Sequence, residues 1–307
     1  MILTICPNPS KDCTIELDSL NVGMLNRIQN KIETYSGKAQ NVAIAVARLK
    51  GKVFSTGFMF ENEGKMFEHV LDLEGVSHKF VWNEGGVRVN YKIIDKKSML
   101  TEINDKGAPV SRKKQLELIE LVKELSLNCD IAVMSGSLPS GVDSSFYKEV
   151  LSVIPSGVKK VVDTEKDNLN EAIKTGLYMV KPNLRELETY ANKSLKTKKD
   201  IINGAKLLLD QGVKIVLVSL GSEGAILTDG KDSYYCKSAN VAVNSTVGAG
   251  DSMIAAACVK TEEGEDLKEI LRCSVAAGTA AITTSGTKLF YKDKYDEIYK
   301  QISVEKI

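Results

Sequence analysis

Long hydrophobic runs are what this sequence most plainly lacks. No stretch approaches the roughly 20 consecutive apolar residues that a membrane-spanning helix needs. The start, Met1-Ile-Leu-Thr-Ile-Cys-Pro-Asn8, has no charged segment ahead of a long apolar one. Histidine is nearly missing too: His69 and His78 stand without a ligand-spaced partner, which speaks against a histidine zinc site. The six cysteines (Cys6, Cys13, Cys129, Cys236, Cys258, Cys273) show no CxxC and no paired spacing, so free thiols in a reducing compartment are expected. Neither sign of charge dominates, with 41 Lys+Arg against 40 Asp+Glu, and this removes the electrostatic case for a nucleic-acid or acidic-membrane partner. The expectation is a soluble, cytoplasmic protein with no nucleic acid and no membrane among its partners.

What is present is an alternation of short apolar runs with helical patterns. The 307 residues, 43% of them hydrophobic, can bury a sizeable core; two domains, or one large α/β domain with an appendage, both fit that length. Buried strands are predicted at Ile2–Cys6, Val53–Gly57, Ile131–Ser135, Lys160–Asp163, Met179–Lys181 and Ile215–Ser219. Amphipathic helices are predicted at Asn41–Leu49, Lys65–Glu74, Lys113–Leu125, Ser145–Val153, Asp200–Gln211 and Leu267–Ser285. Such alternation indicates an α/β fold with a mostly parallel sheet covered by helices on both sides.

Two stretches break the rhythm. Asp12–Thr34 and Arg88–Asn104 alternate polar and apolar residues with period 2, the pattern of half-exposed antiparallel strands. Both interrupt the α/β series, so a small second sheet that could cover a cleft is expected. Its uncovered apolar face invites dimerisation.

The strongest chemical signal is Asn244-Ser-Thr-Val-Gly-Ala-Gly-Asp251-Ser-Met-Ile-Ala-Ala-Ala. A Gly-Ala-Gly turn before an Ala-rich helical run brings backbone N–H groups together at a helix N-terminus, where anionic oxygens are accommodated. Gly248 and Gly250 permit close backbone approach. Asp251 then reads either as a helix N-cap or as a base beside bound phosphate, and spacing alone leaves both open. No Gly-Lys-Ser/Thr follows the glycines and no GxGxxG occurs there, so neither the P-loop nor the dinucleotide fingerprint applies.

The segment Ser245-Thr-Val-Gly-Ala-Gly-Asp-Ser-Met resembles the C-terminal signature of the ribokinase-like, phosphofructokinase-B carbohydrate kinases. Five further motifs follow the family's order along essentially the whole chain. Asn8-Pro-Ser-Lys-Asp12 is similar to the Asn-Pro-x-x-Asp opening of the 1-phosphofructokinase and tagatose-6-phosphate kinase branch, and Ser36-Gly-Lys-Ala-Gln-Asn41-Val-Ala to its sugar-site motif. Ser135-Gly-Ser-Leu-Pro-Ser-Gly, Lys181-Pro-Asn-Leu-Arg-Glu186-Leu-Glu and Ser219-Leu-Gly-Ser-Glu-Gly224-Ala complete the set.

The resemblance implies a ribokinase-like three-layer sandwich spanning 1–307 as one kinase domain, with a lid from about 12–34 and 88–104. It implies Asp251 as catalytic base, with Gly248, Ala249 and Gly250 as anion hole. Asp12, Gly37 and Asn41 would contact the sugar, and Lys38 and Arg88 its phosphate, with Asn90 nearby. Lys181, Asn183 and Glu186 would organise Mg²⁺ around the nucleotide phosphates, Glu186 through water. Ser219, Gly221 and Gly224 would border nucleotide phosphate and ribose, and Asn244, Val247, Ala277 and Gly278 the adenine. Asp163 ends an apolar strand where ligands bind in open α/β sheets, and its role is unassigned. The usual Gly-Gly-Lys-Gly reads Ser36-Gly37-Lys38-Ala39, which would strain the backbone if Ser36 or Ala39 needed positive φ.

The implied reaction is ATP- and Mg²⁺-dependent phosphorylation of fructose 1-phosphate by a homodimer paired through the lid sheet. Tagatose 6-phosphate and fructose 6-phosphate are the alternative substrates. A non-catalytic sugar-phosphate or nucleotide sensor on the same fold is the rival from another class.

Overall fold

The computed structural model describes residues 1–97, 99–164, 166–284 and 288–307. The first strand, β1 (Ile2–Cys6), is buried at every position. Apolar side chains on both of its faces leave it no solvent side, so it belongs inside a sheet covered by helices. The chain then runs β2 (Ser10–Leu17), β3 (Asn30–Ser36), α1 (Lys38–Arg48), β4 (Val53–Asn62), α2 (Gly64–Leu73), β5 (Ser77–Gly86), β6 (Arg88–Asp95), β7 (Leu100–Asn104) and α3 (Arg112–Ser126). The central stretch is β8 (Ile131–Ser135), α4 (Ser145–Ser152), β9 (Lys159–Asp163), α5 (Lys166–Ile173), β10 (Met179–Val180), α6 (Leu184–Ala191), α7 (Lys198–Asp210) and β11 (Ile215–Ser219). It ends with β12 (Ala225–Thr228), β13 (Ser233–Cys236), α8 (Ala249–Glu262), α9 (Leu267–Ala281), α10 (Lys292–Gln301) and β14 (Val304–Lys306).

Ten strands form the main sheet in the order β14-β13-β12-β11-β10-β9-β8-β1-β4-β5. From β11 through β5 all pairs are parallel, and β12, β13 and β14 add antiparallel at one edge. Helices α1, α8, α9 and α10 pack side by side, while α4 contacts both α3 and α5. Strand β1 lies between β4 and β8, where the winding reverses direction, and ligands bind beyond the carboxyl ends of strands at such a point. Among the described residues no helix is long and apolar enough to cross a membrane. All six cysteines are free and buried.

The second sheet exists, in the order β3-β2-β6-β7, but it is not purely antiparallel as its alternation suggested. Its inner pair, β2 and β6, is parallel. The reason is connectivity: β2 leaves β1 after residues 7–9, and β6 leaves β5 after Val87 alone. Both emerge from the carboxyl ends of parallel strands, so both run the same way. Ser36, Ser10 and Arg88 are register partners across three strands, and each adjoins a short connection to the main body. Within the alternating segment Asp12–Thr34 the polar arm after β2 is not strand, and pairing resumes only at Asn30.

Several elements carried no clear pattern. The half-buried strand β13, Ser-Tyr-Tyr-Cys, and the strongly polar α10, Lys-Asp-Lys-Tyr-Asp-Glu-Ile-Tyr-Lys-Gln, are examples. Helix α9 stops at Ala281, where Thr283 and Thr284 turn their hydroxyls onto the carbonyls of Ala280 and Ala281. Its expected end, Ser285, and Ser98, inside the expected strand segment Arg88–Asn104, lie outside the described residues.

Gly57 is where β4 passes closest to β1. Its φ is 144°, and a Cβ there would sit 1.9 Å from the Cys6 carbonyl oxygen. Gly57→Ala is therefore expected to cost about 3 kcal/mol through forced separation of two central strands. Urea unfolding monitored by circular dichroism measures it, and a midpoint equal to the parent's would refute the close approach.

Candidate active site

The carboxyl ends of β9, β10 and β11, the N-termini of α1, α6 and α8, and one face of the second sheet surround a cleft of about 800 Å³. At its centre α8 begins. Gly248 precedes the helix with φ 80°, a conformation glycine adopts without strain, and no side chain caps this end. The first intrahelical bond there runs from the Ser252 amide to the Gly248 carbonyl at 2.9 Å. The earlier amides, those of Ala249, Gly250 and Asp251, thus have no carbonyl within the helix, and all three residues line the cleft. The alanine-rich body of α8 is buried almost all round, which anchors this end rigidly.

Asp251 is itself buried, and Asn41 from α1 donates to its Oδ2 at 2.8 Å. Burial pushes its carboxyl up from the ordinary 3.8 to about 6; Lys38 opposes the rise, and the Asp163 charge adds to it.

Asp163, the unassigned strand-end residue, lies between two lysines. Lys38 Nζ approaches its Oδ2 at 3.2 Å and Lys181 Nζ its Oδ1 at 3.6 Å. Ser135 donates its hydroxyl to the Asp163 carbonyl at 3.2 Å. Burial works to raise the carboxyl, but the two lysines outweigh it and hold Asp163 below the usual range. In return Asp163 raises the ammonium of Lys38, and both lysines line the cleft.

The second sheet contributes a polar face. Asp12 accepts from Lys92 Nζ at 2.9 Å, Asn90 Nδ2 at 3.1 Å, Ser36 Oγ at 3.4 Å and Ser10 Oγ at 3.5 Å. Arg88 donates to the Asn8 carbonyl at 3.3 Å and to Asn90 Oδ1 at 3.4 Å, and its buried Nε has no partner. Asp12, Arg88 and Asn90 all line the cleft, as do Gly37, Lys38 and Asn41. At Gly37 a Cβ would meet Gln40 Oε1 at 2.5 Å and Cys6 Sγ at 2.9 Å, so the glycine is needed for packing. Neither Ser36 nor Ala39 has positive φ, and the departures from Gly-Gly-Lys-Gly carry no strain.

Across the cleft, Asn183 caps α6. Its Oδ1 accepts from the Glu186 amide and Glu186 Oε2 accepts from the Asn183 amide, both at 2.8 Å. This reciprocal cap occupies one Glu186 oxygen. Ser219, Gly221 and Gly224 form the adjoining rim, and Gly224, with φ 89°, would place a Cβ 1.9 Å from the Cys236 carbonyl oxygen. Val247 and Gly278 also line the cleft, whereas Asn244 and Ala277 do not. Asn244 turns its amide onto the Thr283 carbonyl, and Ala277 is fully buried within α9.

Some lining residues were absent from the sequence reading. Lys92 shares the face of Arg88 and Asn90 by simple alternation, so that signal was available. Val275, Thr279 and Ile282 line the opposite end and follow no motif, and Met253, which ends the Ser245–Met253 signature, joins them. Among the described residues no group of three or more His, Cys, Asp or Glu is placed to hold a metal. That donor set does not suit a protein-caged cation. It does suit Mg²⁺, which keeps waters and leans on few carboxylates plus substrate phosphates.

The raised carboxyl has a thermodynamic signature. An acid whose folded pKa lies above its unfolded value favours folding fully below about 3.8, and that support is lost as pH rises through about 6. Asp251→Asn is therefore expected to unfold at higher denaturant than the parent at pH 8, by up to about 3 kcal/mol. The gap should close towards pH 4. An equal gap at both pH values in urea titrations would rule out a buried, raised carboxyl.

The description "pfkB family carbohydrate kinase" matches residues 11–294. A 1-phosphofructokinase of Borreliella burgdorferi is 32% identical over 281 residues, covering 91% of each chain. A tagatose-6-phosphate kinase of Staphylococcus epidermidis is 29% identical over 308 residues, covering 99% of each. Among solved structures, phosphofructokinase-2 from Escherichia coli in complex with substrates and products superposes with a TM-score of 0.91 at 30% identity over 98% of both chains. With the Asp251 cleft at the expected end of the sheet and a match over most of its length, this chain belongs to the pfkB family of carbohydrate kinases.

Proposed function

We propose that this enzyme transfers the γ-phosphoryl group of ATP to the 6-hydroxyl of fructose 1-phosphate. The observation that carries the reading is the juxtaposition, in one cleft, of a base at the head of α8 with a cationic sheet face opposite.

The sugar phosphate lies against the second sheet, which acts as a lid on a single kinase unit. Asp12 accepts hydrogen bonds from sugar hydroxyls, Asn41 and the Gly37 backbone border the ring, and Lys38 with Arg88 binds the phosphate already present. The unpartnered Nε of Arg88 is consistent with an anion completing its fork. The nucleotide lies along Lys181, Asn183, Ser219, Gly221 and Gly224, with Val247 and Gly278 towards the base. Asp251 takes the proton of the attacking hydroxyl. The hydroxyl oxygen bonds to the γ-phosphorus as the bond to the β,γ-bridging oxygen breaks, and ADP leaves with that oxygen. Amides at the head of α8 stabilise the negative charge on the transferring group. Mg²⁺, when bound, offsets charge on the nucleotide phosphates, with Glu186 contributing through water and Asn183 beside it.

A tagatose-6-phosphate kinase is the second reading, favoured by the full-length similarity to the Staphylococcus epidermidis enzyme. Coupled ADP release with Mg-ATP and fructose 1-phosphate, tagatose 6-phosphate and fructose 6-phosphate in turn separates them. Fructose 1-phosphate is expected to give a kcat/KM at least about tenfold above the others, and turnover should fall tenfold per pH unit below about 6. Asp251→Asn should lose a thousandfold or so in kcat, and Arg88→Ala should act mainly on sugar-phosphate KM. Silence with all three, with unphosphorylated sugars also inert, would leave a sensor on a kinase fold.

Outward from the cleft, Tyr91 and Ile103 are register partners on β6 and β7, 40% and 57% exposed, and Val22, Met24 and Leu25 project from the arm between β2 and β3. This apolar surface is consistent with a homodimer joined through the lid sheet. Sedimentation is expected to give a dimer for the parent and a monomer for Ile103→Glu; an unchanged mass in the variant would exclude this face.

A further inference from the structure

We infer that Leu289 is a positioning residue for the phosphoryl-binding end of α8, clamped in place by Arg48. The inference rests on the reading of α8 just given. Leu289 has φ 59°, one of four non-glycine residues in the left-handed region among those described. A leucine there is strained where a glycine would not be, and such a conformation persists only when its surroundings over-determine it.

The surroundings do so here. Arg48 Nη1 donates to the carbonyls of Lys288 and Phe290, on either side of Leu289, at 2.5 and 2.9 Å. The Thr284 hydroxyl lies 2.8 Å from the Ala281 carbonyl and 2.5 Å from that of Leu289, and its single proton serves one of them at a time. The rest of the guanidinium is fixed as well: Nε and Nη2 grip both oxygens of Glu74 at 2.9 and 2.5 Å, and the group lies 5.1 Å from the Tyr291 ring. The carbonyls on both sides of Leu289 are thus held by one side chain from outside their own segment.

What the strain achieves is contact with Gly248. Leu289 is 1% exposed, and its Cδ2 lies 2.5 Å from where a Cβ on Gly248 would stand. The bare backbone ahead of α8 has no capping side chain, and Leu289 packs against it instead. Glycine at 289 would relieve the strain and leave Gly248 uncovered, so the side chain is the reason for the conformation. Arg48 ends α1, whose first turn carries Lys38 and Asn41. One helix therefore supplies the hydrogen bond to Asp251 at one end and secures the packing under the α8 amides at the other.

The test is steady-state kinetics of Leu289→Ala, Leu289→Met and Arg48→Lys beside the parent and Asp251→Asn, with folded fraction checked by thermal unfolding. Leu289→Ala is expected to lower kcat about tenfold or more while both KM values stay within about threefold, since a small displacement of transition-state donors acts on kcat. Leu289→Met, which preserves bulk, should keep at least half of kcat, and Arg48→Lys, which cannot fork, should behave like Leu289→Ala. Should Leu289→Ala fail to fold, the contrast between Leu289→Met and Arg48→Lys carries the test. Full turnover in folded Leu289→Ala or folded Arg48→Lys, or equal losses in Leu289→Met and Leu289→Ala, would overturn the inference. Near-normal turnover in Asp251→Asn would instead remove the reading of α8 on which it rests.

Discussion

One buried carboxylate, Asp163, sets the electrostatics on which the cleft depends. Taking a charge out of water costs several kcal/mol, and that cost is tolerated only where partners are close and fixed. Asp163 has two, Lys38 from the first helix and Lys181 from beyond β10. The pairing joins segments far apart in sequence and keeps two ammonium groups extended towards a space that would otherwise repel them from each other. It also sets the field at Asp251. Burial makes that carboxyl reluctant to ionise, Lys38 and Lys181 make ionisation easier, and Asp163 makes it harder. The balance leaves a group poised near neutrality, where proton transfer from a hydroxyl is most effective.

The frame around this pair is simple by comparison. Parallel strands deliver their carboxyl ends to one edge, so Ser135, Asp163, Lys181 and Ser219, separated by long stretches of chain, arrive together without any local instruction. Helix N-termini at Lys38, Leu184 and Ala249 converge on the same edge and bring positive dipole ends with them. A cleft edged by positive dipole ends follows from topology before any side chain is considered.

Much of this was legible in the residues. Ile2–Cys6, Ile131–Ser135 and Ile215–Ser219 are strands with the expected boundaries because a run buried on both faces has no competing pattern. The Gly248–Asp251 turn was visible because glycines ahead of an alanine-rich run have few other uses. Harder to see was whatever depended on partners distant in sequence. Asp163 ended a strand, but nothing nearby announced its two lysines. Lys92 stood on the face of Arg88 and could have been read by alternation, yet its pairing with Asp12 comes only from the parallel register of β2 and β6. That register was itself misjudged, since period-2 alternation reports a polar face and says nothing about direction. Asn244 and Ala277 were placed by likeness of motif, and their local bonds and burial take them out of the cleft wall.

The row formed by Ser36, Ser10 and Arg88 has a mechanical consequence. Three short connections to the main body leave from that single transverse line, and the fourth, residues 105–111, leaves from Asn104, the register partner of Asn90, two residues beyond Arg88, so the second sheet is attached along one edge. A tilt about the row would displace each residue in proportion to its distance along the strands. Arg88, on the axis, would hardly move. Lys92, four residues further along and ~13 Å from the axis, would swing about 2 Å for a tilt of about 10°. A group bound at the axis would therefore keep its place during such a tilt, while anything bound further along the strands would be covered or uncovered.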